Sequence, residues 1–269
     1  MDSRGTLIII GGAEDKTGNR VILNRASQML SEKDILTILT TATQKPEEVG
    51  RSYFEIFQSL GIKNLQILNI NTRQDANSDE YCDKIRKSSG VFFTGGDQLR
   101  ITSILGGTRA WDELIGLYRS GGVVMGTSAG ASVMSSTMIV NGLENEPAKK
   151  CTLKMAPGLG LIGGVIIDQH FEQRGRFGRL LCGVAENPDA LGLGIDEDTA
   201  IKLYPDLHFE VIGTNAVTVM DGRAIQSSNV SELNQNEILA VIGAVIHVLP
   251  QGYGFDLKNR KVLRLKNES

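Results

Sequence analysis

Gly122-Val123-Val124-Met125-Gly126-Thr127-Ser128-Ala129-Gly130 reads as an apolar strand that ends in a sharp turn and opens a helix. A Gly-x-Ser-x-Gly turn of this kind holds its serine in a strained conformation with the hydroxyl exposed above the sheet. The glycines leave room beside the serine, and one flanking position is expected to need a backbone shape that glycine adopts at low cost. Ser128 is therefore a candidate nucleophile. The same pentapeptide also suits a small-residue turn that packs a helix closely on a strand, so its surroundings must decide.

Strand-like β-branched runs at residues 7–10, 35–40, 65–70, 91–94, 123–125 and 165–167 alternate with helical spacing at 20–30, 46–60, 79–87 and 110–119. That alternation predicts a mostly parallel α/β sheet with helices on both faces. Beyond residue 191 the pattern changes to short runs at 199–203, 208–212, 217–220, 238–247 and 254–262. These predict a β-rich C-terminal extension that adds antiparallel strands at one edge. Asp221-Gly222 is expected to turn a hairpin into Arg223-Ala224-Ile225. No Pro- or Ser-rich linker divides residues 1–269, which points to a single domain.

The 28 basic and 31 acidic residues give a formal charge of -3, so no global field favours nucleic acid or an anionic membrane. No apolar stretch approaches the ~20 residues of a membrane span and no leader opens the chain; a cytoplasmic protein is expected. Cys82, Cys151 and Cys182 are odd in number and lack metal-ligand spacing, and the histidines are only His170, His208 and His247. No metal and no cofactor are expected.

In open α/β sheets ligands bind beyond the carboxyl ends of the strands. The residues there are Gly11-Gly12-Ala13-Glu14-Asp15, Gly95-Gly96-Asp97-Gln98, Ser128 and Asp168-Gln169-His170. Serine needs a base, and the base needs a group that fixes its tautomer. His170 follows a buried-looking strand and is the candidate base. Asp168, Glu172, Asp196, Glu197 and Asp198 are all candidates for the orienting acid, and spacing does not choose among them. The amides of Gly96 and Ala129 are candidate oxyanion donors. Arg174, Arg176 and Arg179 crowd the segment after His170 and suit carboxylate recognition.

Taken together, Gly-Gly-Ala-Glu-Asp at 11–15, Phe-Phe-Thr-Gly-Gly-Asp-Gln at 92–98, Gly-Thr-Ser-Ala-Gly-Ala at 126–131, Ala-Pro-Gly-Leu-Gly-Leu at 156–161, Asp-Gln-His-Phe at 168–171 and Gly-Ile-Asp-Glu-Asp-Thr-Ala at 194–200 resemble the cyanophycinases. Their peptidase family also contains the α-aspartyl dipeptidase called peptidase E. The resemblance covers nearly the whole chain and implies a flavodoxin-like sheet related to class I glutamine amidotransferases. It implies a triad of Ser128, His170 and Glu197, and a substrate pocket that includes Asp97, Gln98, Asp168, Gln169, Glu172, Arg174, Arg176 and Arg179. The implied partner is cyanophycin, a polyaspartate carrying arginine on its β-carboxyls, or its β-Asp-Arg-containing fragments, and the implied assembly is a homodimer. Each substrate side chain exposes a guanidinium and a carboxylate, so Asp97, Asp168 or Glu172 is expected to meet the first and the arginines the second. A dipeptidase acting on short aspartyl peptides and a catalytically silent binding protein are the rival readings. The loop at 141–154 is placed to cover the site.

Overall fold

A computed structural model of the chain describes residues 4–150 and 152–265, so Cys151 lies outside the described residues. The first half runs β1 (Thr6–Ile10), α1 (Val21–Ser27), β2 (Ile35–Leu39), α2 (Pro46–Ser59), β3 (Asn64–Leu68), α3 (Asp79–Arg86) and β4 (Gly90–Phe93). It continues through α4 (Gln98–Leu105), α5 (Arg109–Arg119), β5 (Val123–Thr127) and the single turn α6 (Ala129–Ser132). Next come β6 (Thr137–Asn141), β7 (Lys154–Pro157), β8 (Val165–Gln169), α7 (Phe177–Glu186) and β9 (Leu191–Ile195). The remainder is β10 (Thr199–Leu203), β11 (His208–Gly213), β12 (Ala216–Asp221), β13 (Ser227–Ser228), β14 (Val241–Ile242), β15 (Val245–Pro250), β16 (Tyr253–Asp256) and β17 (Lys261–Arg264).

The larger sheet has the order β17-β16-β11-β10-β1-β5-β4-β2-β3. Its β1, β5, β4, β2 and β3 run parallel, while β10, β11, β16 and β17 extend it antiparallel beyond β1. The four consecutive aliphatics of β1 explain its central place. Leu7 and Ile9 enter one core cluster and Ile8 and Ile10 another, all fully buried. Each such side chain contributes about 1.5–3 kcal/mol when taken from water.

Residues 165–167 do not join this sheet, contrary to the expectation from their β-branched pattern. The edge of β1 away from β5 is already occupied by β10, and β8 instead pairs in parallel with β9 in a second sheet of order β15-β12-β9-β8. One face of that sheet, with Val165, Ile167, Leu193, Ile195, Val217 and Val219, joins the cluster that holds Leu7 and Ile9. Ile166 on the other face packs with Leu180 and Val184 of α7.

The Asp221-Gly222 hairpin does not form. Neither residue has the positive φ that a tight two-residue turn needs. A Cβ on Gly222 would meet Pro188 Cα and Val184 Cγ1 at 2.9 Å, so this glycine permits a close approach instead of a turn. The Asp221 carboxylate is bound by Arg260, and β12 finds its partner in β15 after an excursion that carries the β13–β14 pair. The run at 238–247 breaks at Gly243, φ 89°, and that at 254–262 divides around Arg260, φ 52°. Helices α4 and α7 have no counterpart among the helical stretches read from spacing. Asp97 starts α4 by accepting from the Leu99 and Arg100 amides at 2.8 and 3.3 Å.

Candidate active site

Ser128 stands between β5 and α6 with φ 54° and ψ -111°, a conformation that L residues rarely adopt. The strain lies on the serine, as the turn implies, while neither flanking glycine, Gly126 nor Gly130, has the positive φ expected of one of them. Gly126 and Gly130 are required by crowding: a Cβ on Gly126 would come within 2.5 Å of Gly130 O, and one on Gly130 within 2.6 Å of Phe93 O. The Ser128 amide donates to Ile10 O at 3.0 Å, tying the turn to the end of β1.

His170 follows β8 with φ 48°, and its amide donates to Gly11 O at 2.8 Å. Its ring lies against Gly12, where any Cβ would fall 2.5 Å from Nε2. This gives the Gly11-Gly12 pair its reason: the backbone approaches an imidazole closely, and Gly12 has φ 100°. Glu197 follows β9. Its amide donates to Gln173 Oε1 at 2.9 Å, and its carbonyl accepts from Asn215 Nδ2 at 2.8 Å.

These three strand ends bring the side chains into one line. Ser128 Oγ is 2.9 Å from His170 Nε2, and His170 Nδ1 is 2.6 Å from Glu197 Oε1. Glu197 is thus the acid against His170. Asp196 instead accepts from the Glu172 and Ala216 amides, Asp198 from the Asp15 amide, and Asp168 pairs with arginine. A carboxylate accepting from Nδ1 leaves Nε2 as the acceptor for the serine proton. Among the described residues, neither the Gly96 nor the Ala129 amide has a hydrogen-bond partner. A Cβ on Gly95 would lie 3.5 Å from Ser128 Cβ, so the turn carrying the Gly96 amide borders the serine.

Burial pushes the His170 imidazole below its ordinary value of 6.5; the Glu197 hydrogen bond opposes this and the Arg174 charge adds to it. A base of this kind is neutral at pH 7. It works above its own pKa and is lost as pH falls through it, so the acid limb of kcat/KM is expected below pH 6.5. Arg174→Gln removes a charge that disfavours the imidazolium, so that limb is expected to move to higher pH. A pH–rate profile of both proteins checks this, and a shift to lower pH contradicts it.

The remaining candidates divide. Asp97 caps α4, and Gln98 Nε2 donates to the Ile139 and Val140 carbonyls at 3.1 Å, fixing β6. Asp168 is held in a fork by Arg179, with Nε to Oδ2 at 2.7 Å and a second contact from Nη2 to Oδ1. Arg176 Nη1 donates to Gln169 O and Oε1, both at 2.5 Å. Arg174 is half exposed and Glu172 is exposed. Sequence reasoning missed Glu144, which lies 2.6 Å from Arg176 Nη2 and 3.9 Å from both Arg174 and Arg179. Its only signal was its place in the loop expected to cover the site. That loop does pack there: the Asn145 amide donates to Gly175 O at 2.9 Å.

Among the described residues no cluster of three or more His, Cys, Asp or Glu side chains is placed to hold a metal, and no helix is long and apolar enough to cross a membrane.

A serine at a strained strand end, hydrogen-bonded to a histidine that is itself held by a carboxylate, is the chemistry of a serine-type hydrolase. The profile of peptidase family S51 matches residues 7–210. The cyanophycinase of Trichormus variabilis is 38% identical over 263 residues, covering 97% of this chain and 88% of that one. That of Geminocystis herdmanii is 37% identical over 260 residues, covering 96% and 94%, and that of Synechococcus elongatus is 34% identical over 261 residues, covering 96% and 81%. The chain belongs to peptidase family S51 and is a serine-type peptidase. A peptidase from an acI-B1 actinobacterium shares the fold, with a TM-score of 0.65 at 22% identity over 95% of this chain and 98% of its own. A putative peptidase E from Listeria monocytogenes does so with 0.54 at 19% over 79% and 98%.

Proposed function

We propose that this peptidase hydrolyses cyanophycin from its C-terminal end, releasing β-Asp-Arg dipeptides, with Ser128 as nucleophile, His170 as base and Glu197 as orienting acid. The observation that carries this reading is the hydrogen-bonded line of the three side chains beside the arginine segment at 174–179. The cyanophycinase relatives supply the substrate class.

Ser128 Oγ attacks a backbone aspartyl carbonyl while His170 Nε2 takes its proton. The oxyanion is received by the Gly96 and Ala129 amides. The imidazolium then protonates the leaving amine, and a water activated by the same histidine hydrolyses the acyl-enzyme. Of Arg174, Arg176 and Arg179, Arg174 has the most exposed head and meets the substrate carboxylate; Glu172 meets the guanidinium. Asp168, Gln169, Arg176 and Arg179 shape the pocket through their bonds to one another, and Asp97 and Gln98 border it through α4. A flavodoxin-like arrangement of the five parallel strands and a homodimer belong to the same reading, as the family resemblance implies, together with the single domain and cytoplasmic location expected from the sequence.

Incubation with purified cyanophycin and identification of products by mass tests this reading, with β-Asp-Arg the expected product. Cleavage of simple Asp-X dipeptides with no release from cyanophycin would replace it with the dipeptidase reading.

A further inference from the structure

Glu14 is a buried carboxylate, 3% exposed, that the chemistry above does not use. It accepts from the Tyr53 hydroxyl at 2.5 Å through Oε1 and from the Thr127 hydroxyl at 2.5 Å through Oε2. Lys16 Nζ lies 4.0 Å from Oε1 and 4.5 Å from the centre of the Tyr53 ring. We propose that Glu14 is a positioning residue for the nucleophile: it clamps Thr127, the last residue of β5, and thereby holds Ser128 in its strained conformation. This rests on the reading of Ser128 as the nucleophile.

A non-glycine residue at φ 54° and ψ -111° costs on the order of 1–3 kcal/mol and persists only where its surroundings over-determine it. On one side the backbone does this, through the Ser128 amide on Ile10 O and the pairing of Thr127 with Ile10. Beyond the serine, the Ser128 carbonyl accepts the Ala131 and Ser132 amides at 3.0 Å within the buried single turn α6. Neither set of backbone bonds fixes the Thr127 side chain, which acts on the peptide that enters Ser128 and whose hydroxyl ends on Glu14.

The chemistry of the pocket fits a clamp better than a filler. Burying a carboxylate is costly, and an apolar residue of similar size would pack the same space without that cost. Burial, then the charge of Glu14 and the hydrogen bond to it, push the Tyr53 phenol well above its ordinary value, so it stays an O–H donor. One donor therefore comes from α2 and the other from the turn itself. The same segment also carries Gly11 O, which receives the His170 amide, and Gly12 O, which receives the Asp198 amide beside Glu197. Residues 10–14 thus contact all three strand ends that form the line, and Glu14 is their side-chain link to the serine.

The test compares Thr127→Val, which keeps the shape and removes the hydroxyl, with Thr127→Ser, which keeps the hydroxyl, and with Tyr53→Phe, which removes the donor away from the turn. The readings are kcat, KM, the rate of Ser128 acylation by a fluorophosphonate, and the melting temperature, with rates normalised to folded protein. Thr127→Val is expected to lower kcat and the acylation rate about ten- to a hundredfold with KM unchanged, the scale of loss that a small misplacement of a reacting group produces. Thr127→Ser is expected to recover most of it, and Tyr53→Phe to lower the melting temperature while keeping kcat. Wild-type kcat in folded Thr127→Val, or an equal loss in Thr127→Ser, overturns the proposal. If Thr127→Val does not fold, Thr127→Ala is read in its place, and failure of both assigns the cluster to stability and also overturns it. Ser128→Ala run in parallel separates the two ideas. Turnover in that variant sinks the reading of Ser128, whereas an inert Ser128→Ala beside a fully active Thr127→Val sinks only the role of Glu14.

Discussion

Ser128→Ala is expected to lower kcat by at least about 10⁴-fold, and to leave the melting temperature unchanged. Losing the nucleophile of a serine hydrolase costs up to about 10⁶-fold, because base and acid have nothing left to activate. The residual rate over water comes from the oxyanion donors and from binding. Stability is spared because alanine keeps the Cβ and the same strained φ and ψ. Ser128→Gly sharpens the argument. It is equally inert, yet glycine adopts a positive φ freely, so relief of strain of about 1–3 kcal/mol outweighs the about 0.5–1 kcal/mol entropic penalty of glycine. The glycine variant should melt above the alanine variant. Turnover and thermal melting of the three proteins check this, and appreciable hydrolysis by Ser128→Ala, or a lower melting temperature for the glycine variant, would count against it.

The serine turn was legible in the sequence because its determinants are local: a strand, a small-residue turn and a helix start within nine residues. The choice of Glu197 over Asp168 was not legible from pattern. Alternation places Asp168 and His170 on one face only while the chain stays extended, and His170 has already left the strand, with φ 48°. The acid arrives from the neighbouring strand β9, a relation that depends on β8 and β9 forming a sheet of their own. Spacing along one segment carries no such information. The arginines show the same limit. Their number marked the segment, but Asp168 and Glu144, which engage Arg176 and Arg179, lie 8 to 35 residues away in sequence. Asp221-Gly222 failed for a related reason. A turn signal is a local preference, and tertiary packing against Pro188 used the glycine differently.

Arg179→Ala is expected to destabilise the protein by about 3–5 kcal/mol, the range for removing one partner of a buried ion pair. The Asp168 side chain is 1% exposed and that of Arg179 6%. Without Arg179, Asp168 keeps among the described residues only the longer contact to Arg176 at 3.4 Å, and too little water reaches it to replace the fork. Arg179→Lys should fall between, since an ammonium is a point charge that cannot reproduce the planar two-pronged contact. The damage comes from the carboxylate left behind, so Asp168→Asn added to Arg179→Met should be more stable than Arg179→Ala alone, although it removes more of the native pair. Lys63→Ala provides the contrast. It breaks a pair with Glu32 whose side chains are 64% and 74% exposed, and should change stability by less than about 1 kcal/mol. Denaturant midpoints at a common slope measure all four. A loss below about 1 kcal/mol in Arg179→Ala would mean that Asp168 finds water or a second cation in its absence. Because Asp168 lies two residues before His170 and Arg179 lies in the first turn of α7, this pair also joins the end of β8 to the helix that covers its sheet. Its loss should therefore reduce kcat as well as stability, by loosening the strand end from which the imidazole projects.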